Sequence, residues 1–589
     1  MSDPARTGVV RIANCSGFYG DRLSAAAEMV DGGPIDVLTG DWLAELTMLI
    51  LAKSRARSSA AGYARTFVTQ LEQVMGSCLD RGIKVVSNAG GLNPRGCADA
   101  IAAVADKLGL APAIAYVEGD DLLPRLDELR ADGVTFDNLD TGEPLGDRAV
   151  LTANAYVGGW GIAEALARGA DIVVTGRCTD AALTVGPAAW WHGWSTGDLD
   201  RLAGAVVAGH VIECGPQATG GNYAFFDEVP GLEHPGFPIA EVAADGSSVI
   251  TKHPGHGGLV SVETVTAQLL YEIGGPRYLN PDVTARFDTI RLASDGPDRV
   301  RIDGVRGEPP PPTLKVSMNF QGGYRTTTTL MLTGLDIEKK AALAERSLWA
   351  SIPGGRAAFA ETTVELIRSD HPDPATNEQA VAQLRITVKD PDENKVGRAL
   401  SAKVTELALA SYPGLFGAGP AGTQAYGVYW PAVVPARFVR QEVVVAGDRT
   451  FIQSQPAAGE PFPLRDSTTP PSAPDGPTRR APLGLVAGAR SGDKGGNANL
   501  GVWARTDDAY TWLASYLTVD RLRELMPEAR ELDVQLYELP GLRALNFVLV
   551  GLLGEGVASS TRMDAQAKGL GEYLRAKIVD VPVSLLEAP

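Results

Sequence analysis

The chain has 589 residues, too many for one ordinary core, so two to four domains are expected. With 44% hydrophobic and 21% charged residues it is not a disordered chain, and a net charge of −18 excludes a broad nucleic-acid surface, which needs a basic patch against phosphate. A local site for an anion is still allowed, because a few amides and cations outweigh a distant global charge.

The five cysteines, Cys15, Cys78, Cys97, Cys178 and Cys214, are scattered and form no CxxC pair. That pattern predicts reduced thiols in a cytoplasm, with neither a disulfide framework nor a zinc ribbon. The opening MSDPARTGVVRIAN lacks the apolar region of a signal peptide, and no apolar run is long enough to span a membrane.

In chain order, residues 1–290 read as an α/β domain. VVRIAN, IDVLTGD, IKVVSNAGG, AIAYVEGDD and ADIVVTGRCTD are apolar runs that end in Gly- or Asp-rich turns, most followed by a helical pattern. This is the signature of a mostly parallel sheet, whose ligands bind at the carboxyl ends of the strands. Residues 291–455 change to an α+β domain. PPPPTLKVSMNF, TTTTLMLTGL, TTVELIRS and AQLRITVKD are strand-like, whereas LDIEKKAALAERSLWASI and NKVGRALSAKVTELALASY are helical. Residues 456–482 are rich in proline and read as a linker. Residues 483–589 form a compact α+β domain of two or three strands and two helices.

Chemistry is sought in the turns. In SGDKGGNANLG, glycine amides suit an anion and Lys494 adds charge, although Gly495 in place of Ser or Thr excludes a Walker A loop; a plain turn between two strands is the alternative. Arg562, Asp564, Gln566 and Lys568 recur at period two, the spacing of one strand face. LTGDWLAE puts Gly40, Asp41 and Glu45 at a strand-to-helix junction, where Asp41 is a natural N-cap. Asn88, Gly90, Gly91, Asn93 and Arg95 form a second such junction suited to an anion or oxyanion, or a plain Asn-Pro turn. VVTGRCTD brings Arg177, Thr179 and Asp180 directly after a buried strand. Arg177 offers a planar fork for a carboxylate or phosphate, and Asp180 is either its partner or a base. In GHVIECGPQATGGNY, His210 and Glu213 are an acid–base candidate or a capped helix end. His253 and His256 lack a third ligand with clear spacing, so no metal is expected.

SGFYGD, LTGDWLAELTM, NAGGLNPRGCADA, LTANAYVGGWGIAEAL, ADIVVTGRCTDAAL, AGHVIECGPQATGG, GFPIAEV and YEIGGPRYLNPDV together resemble the acyclic terpene utilisation AtuA family. ARSGDKGGNANLGV with SSTRMDAQAKGLGEYL resembles the ferredoxin-like domain that accompanies it. The resemblance implies a cytoplasmic catabolic protein that works beside acyl-CoA dehydrogenases, biotin carboxylases and enoyl-CoA hydratases on terpenoid and branched acids. It carries no catalytic assignment.

The expectation is an enzyme of lyase or hydratase type on a CoA thioester or related carboxylate, with no cofactor beyond the substrate's CoA and no metal. Arg177, Asn88, Gly90, Gly91 and Asn93 would hold the carboxylate or thioester oxygen, with Thr179, Asn154, Gly220 and Gly221 also lining the substrate site. Asp180, Asp41 or Glu213 would move the proton, and Ser491, Asp493 and Lys494 would close over the site or grip a CoA phosphate. Its partners would be a small acyl-CoA and further copies of the chain, not nucleic acid or membrane. Two alternatives stand: a non-catalytic scaffold for the pathway's carboxylase or hydratase, and an acyl-CoA transferase with Glu213 as nucleophile.

Overall fold

The computed structural model describes residues 8–417, 419, 422–453 and 476–587. They divide into two units. The first comprises 1–319, 429–557 and 564–589, and the second 320–428 and 558–563.

The first unit is built on strands β1 (Val10–Asn14), β2 (Val37–Gly40), β3 (Lys84–Ser87), β4 (Ile114–Glu118), β5 (Val150–Ala155), β6 (Ile172–Thr175), β7 (Pro238–Val242) and β8 (Ser248–Lys252). The five runs singled out in the sequence are β1, β2, β3, β4 and β6. They lie side by side in the order β1-β2-β3-β6-β4 and every pair among them is parallel. The central strands β2 and β6 are buried throughout, as strands covered on both faces must be. Antiparallel strands widen this sheet to eleven among the described residues. On one side stand β7, β8, Arg299–Asp303 and Arg291–Ser294, and on the other Arg440–Val445 and Asp448–Gln453.

Helices Arg65–Arg81 and Pro94–Leu108 bury Phe67, Leu71, Val74 and Ile101 against Val85, Ile172 and Val174. The second helix has its limits written in the sequence: Asn93 caps it by accepting from Gly96 N at 2.9 Å, Pro94 opens it, and Gly109 closes it at φ +70°. Helix Leu199–Ile212 is buried from Leu202 to Ile212, which accounts for the apolar run Leu202–Gly209.

In the same unit, residues 487–549 form a four-stranded antiparallel sheet in the order 487–494, 497–504, 544–549, 534–539. Helices Asp507–Tyr516, Val519–Leu525 and Leu570–Arg575 cover its apolar face through Trp512, Leu513, Leu522, Leu570 and Leu574. A further pair joins Thr478–Pro482 to Ile578–Pro582. The strands therefore outnumber the expected two or three. Of the proline-rich linker, residues 456–475 lie outside the described residues, whereas Thr478–Pro482 is a strand.

SGDKGGNANLG is a tight hairpin between Ala487–Lys494 and Asn497–Ala504, turning at Gly495 (φ +64°) and Gly496. The period-two reading of Arg562 to Lys568 is corrected. These residues are turns, and Asp564 accepts from Lys568 N and Gly569 N at 2.8 Å each to start the helix at Leu570. Local hydrogen bonding by an Asp wins over alternation here.

The second unit pairs Tyr324–Thr333 with Val381–Asp390 and the latter with Glu361–Ile367, all antiparallel. Helices Ile337–Ser351 and Leu400–Glu406 complete a core of Leu330, Leu332, Leu348, Ile386 and Val388. Residues 558–563 join it: Arg325 donates to Ser560 O at 2.8 Å and Arg385 to Thr561 O at 2.7 Å. Among the described residues no helix is long and apolar enough to cross a membrane.

Candidate functional site

The carboxyl ends of β2, β3 and β6 deliver Asp41, Asn88 and Arg177 to one edge of the parallel sheet. Asp41 is not a helix N-cap. The helix Glu45–Arg57 has Ala44 at that position, and Asp41 instead accepts from Leu43 N at 3.0 Å and from Asn88 Nδ2 at 2.6 Å. Asn88 also accepts from Trp42 N at 2.8 Å, so both ends of its amide are engaged inside the protein. Burial, then the Asp180 charge, push the Asp41 carboxyl well above the carboxylate range, against the pull of Arg177 and Asn88.

Arg177 is 3% exposed and lies with its guanidinium 4.2 Å over the Tyr156 ring. Its Nη1 donates to Asp180 Oδ1 at 2.8 Å and to Cys178 O at 2.9 Å, while its Nε has no hydrogen-bond partner among the described residues. Its backbone is fixed by Asp120, whose Oδ2 accepts from Arg177 N and from Asn154 Nδ2 at 2.8 Å each. Tyr156 OH donates to Glu45 Oε1 at 2.7 Å, and Lys315 Nζ lies 3.8 Å from the same oxygen. Burial opposes the Glu45 charge, but Lys315 and Arg177 outweigh it and hold the carboxylate at about 2. Glu45 and Lys315 keep 31% and 39% of their side-chain surface accessible.

Glu213 caps the helix Leu199–Ile212, and its Oε1 lies 3.4 Å from His210 Nδ1. This contact is not an ion pair. Burial, then the charges of Asp180 and Glu272, push Glu213 well above the usual carboxylate range, while burial holds His210 down to about 4. Glu213 Oε2 has no hydrogen-bond partner among the described residues.

The hairpin of the C-terminal sheet packs on Leu270–Gly274. A Cβ on Gly492 would stand 2.2 Å from the Tyr271 ring and one on Gly501 2.4 Å from Leu270 Cβ, so glycine is required by close approach. Arg490 donates to Gln217 at 2.6 Å and covers Tyr271 at 4.1 Å. Lys568 donates to Tyr271 OH and lies 3.5 Å from Asp493. Lys494 donates to Glu272 O at 2.9 Å, and burial, then Lys315, lower its ammonium to about 8. The hairpin turn is already supplied with an anion: Gly496 N donates to Asp140 Oδ2 at 3.4 Å and Asn497 Nδ2 to Asp140 Oδ1 at 2.9 Å.

Of the residues singled out in the sequence, Asp41, Asn88, Arg177, Asp180, Glu213, Asp493 and Lys494 thus converge, linked by contact or by mutual charge. Thr179 Oγ1 also lacks a partner beside Arg177 among the described residues. Others serve the scaffold. Asn93 caps its helix and donates to Ala61 O at 3.0 Å. Asn154 supports Asp120, and Ser491 accepts from Gly571 N at 2.9 Å. Gly90 lets Thr175 O approach, Gly91 holds φ +54°, Gly220 packs on Val229, and Gly221 packs on Pro216. Sequence reasoning assigned no role to Lys315, Tyr156, Tyr271 or Glu272. The last two sit in YEIGGPRYL, where a glutamate between apolar residues and two glycines was the available signal.

The family model described as acyclic terpene utilisation family protein AtuA matches residues 10–445, and that of the AtuA ferredoxin-like domain matches 481–580. No curated protein matches the chain.

Proposed function

The chain belongs to the acyclic terpene utilisation AtuA family, and from that premise we propose an enzyme of lyase or hydratase type acting on a branched acyl thioester or related carboxylate. The observation that carries the reading is the grouping of two buried carboxyls, Asp41 and Glu213, whose proton affinity burial raises, around a buried arginine with an unused Nε. A neutral carboxylic acid at pH 7 is a proton donor, and general acid catalysis asks for such a group. Arg177 binds the carbonyl or carboxylate oxygen, its fork aimed by Asp180 and its turn by Asp120. Glu213 gives its proton to the leaving hydroxyl. Asn88 acts through Asp41, holding that carboxyl rather than touching substrate. The free cysteines among the described residues fit a reducing compartment.

The transferase alternative needs Glu213 as an ionised nucleophile, and the burial that raises its proton affinity opposes that role. Turnover of a panel of branched enoyl- and 3-hydroxyacyl-CoA esters, followed by mass spectrometry, tests the reading. The purified chain should convert at least one, and Arg177→Ala should lower kcat/KM by about 100-fold or more. Absence of conversion across the panel would favour the scaffold alternative. A hydroxylamine-trapped Glu213 adduct would favour the transferase.

A further inference from the structure

We infer that Glu272 is a second proton-transfer group of the proposed site, and that Lys494, Asn499 and Asn546 are the positioning residues that hold it there. The inference rests on the acyl-substrate reading for its chemistry and on the backbone for its geometry.

Glu272 has φ +57°, a left-handed conformation that a non-glycine residue adopts at a cost and that recurs at functional sites. Side chains of the C-terminal sheet saturate the backbone around it. Glu272 N–H donates to Asn499 Oδ1 at 2.8 Å, and Glu272 O accepts from Lys494 Nζ at 2.9 Å. Asn546 Nδ2 donates to Ile273 O at 3.4 Å and to Gly274 O at 2.5 Å, and Asn499 Nδ2 donates to Asn546 Oδ1. Asn499 and Asn546 are both fully buried. A fully connected buried network of this kind imposes one conformation. Glycine would take this φ freely, so a glutamate here is kept for its side chain.

The carboxyl keeps 35% of its side-chain surface accessible and lies 4.0 Å from Lys568 Nζ. The titratable groups facing it are Asp493, Lys494 and Lys568 from the C-terminal part, with Glu45 and Glu213 from the N-terminal part and Tyr271 beside it. His210, Cys214 and Tyr278 adjoin it as neutral groups. Burial, then the Asp493 charge, raise it to about 7 against the pull of Lys568, which poises it to accept and return a proton near neutrality.

In the dehydration direction, the Glu272 carboxylate takes the proton from the carbon beside the carbonyl, and the C–H electron pair moves toward the oxygen held by Arg177. The pair then forms the C=C bond as the C–O bond breaks, and the hydroxyl leaves as water with the proton of Glu213. The proton on Glu272 returns to Glu213 through solvent, so the products are the enoyl ester and one water.

Glu272→Gln, Glu272→Gly and Asn499→Ala in the full chain test this. Glu272→Gln should lower kcat by about 100-fold or more with little change in KM. Glu272→Gly should lose the same activity while raising Tm. Asn499→Ala should lower kcat and displace the limb of the pH profile near 7. Unchanged kcat in Glu272→Gln, or a lower Tm in Glu272→Gly, would overturn the inference. If the unaltered chain converts no thioester, the acyl-substrate reading falls, and Glu272 is judged without substrate. Difference infrared titration against Glu272→Gln should then give a carboxyl midpoint near 7 that Asn499→Ala moves. A midpoint in the ordinary carboxylate range would overturn it.

Discussion

At the scale of single residues, burial in the fold shifts the titration of several acidic groups. Asp120 is the clearest for stability. It is 4% exposed, burial raises it to about 7, and hydrogen bonds from Arg177 N and Asn154 only partly oppose the rise. Its folded pKa lies above its unfolded value, so between about pH 4 and pH 7 the native state binds the extra proton. Stability from this group is therefore present at low pH and is lost as pH rises toward 7, by about 4 kcal/mol at most. Asp120→Asn, whose amide oxygen can still accept from Arg177 N, should remove this slope and raise Tm above that of the parent at pH 8. Thermal melts at pH 5 and pH 8 check it, and parallel pH dependences in the two proteins would sink it.

At the scale of elements, the glycines of the C-terminal hairpin are explained by what lies against them. Gly492 meets the Tyr271 ring and Gly501 meets Leu270, on the sheet face opposite the apolar core of Leu500, Val502 and Phe547. Gly492→Ala should therefore push the hairpin off Tyr271 and cost about 1–3 kcal/mol, the usual range for overpacking. A denaturant melt that superimposes on the parent's would show that the Tyr271 ring yields freely. The strand-to-helix junctions behave differently. Asn93, Pro94 and Gly109 act as local sequence rules predict, because their partners lie within one helix.

At the scale of the molecule, the two segments matched by family models contact each other within the first unit. Residues 481–580 supply Asp493, Lys494, Asn499, Asn546 and Lys568, and residues 10–445 supply Asp41, Arg177, Glu213 and Glu272. Asn546→Ala should uncouple them locally, leaving the Ile273 and Gly274 carbonyls without their side-chain donor at about 1–3 kcal/mol. Hydrogen exchange should then rise at amides 270–274 while β1 to β3 stay protected. Equal protection of 270–274 in both proteins would mean that the contact stabilises nothing.

The sequence by itself determined the five parallel strands, the carboxyl-end turns that carry Asp41, Asn88 and Arg177, and the acidic character of the chain. Continuous apolar runs, caps and turn residues act within a few positions of themselves, so they are legible without a fold. Only the tertiary structure decided that the SGDKGG turn is filled by Asp140, that Asn499 reaches Glu272 across 227 positions, and that Arg562 to Lys568 do not alternate as a strand. It also decided which carboxyls hold their protons more tightly, because desolvation and neighbouring charge depend on groups hundreds of residues apart, and no local pattern records them.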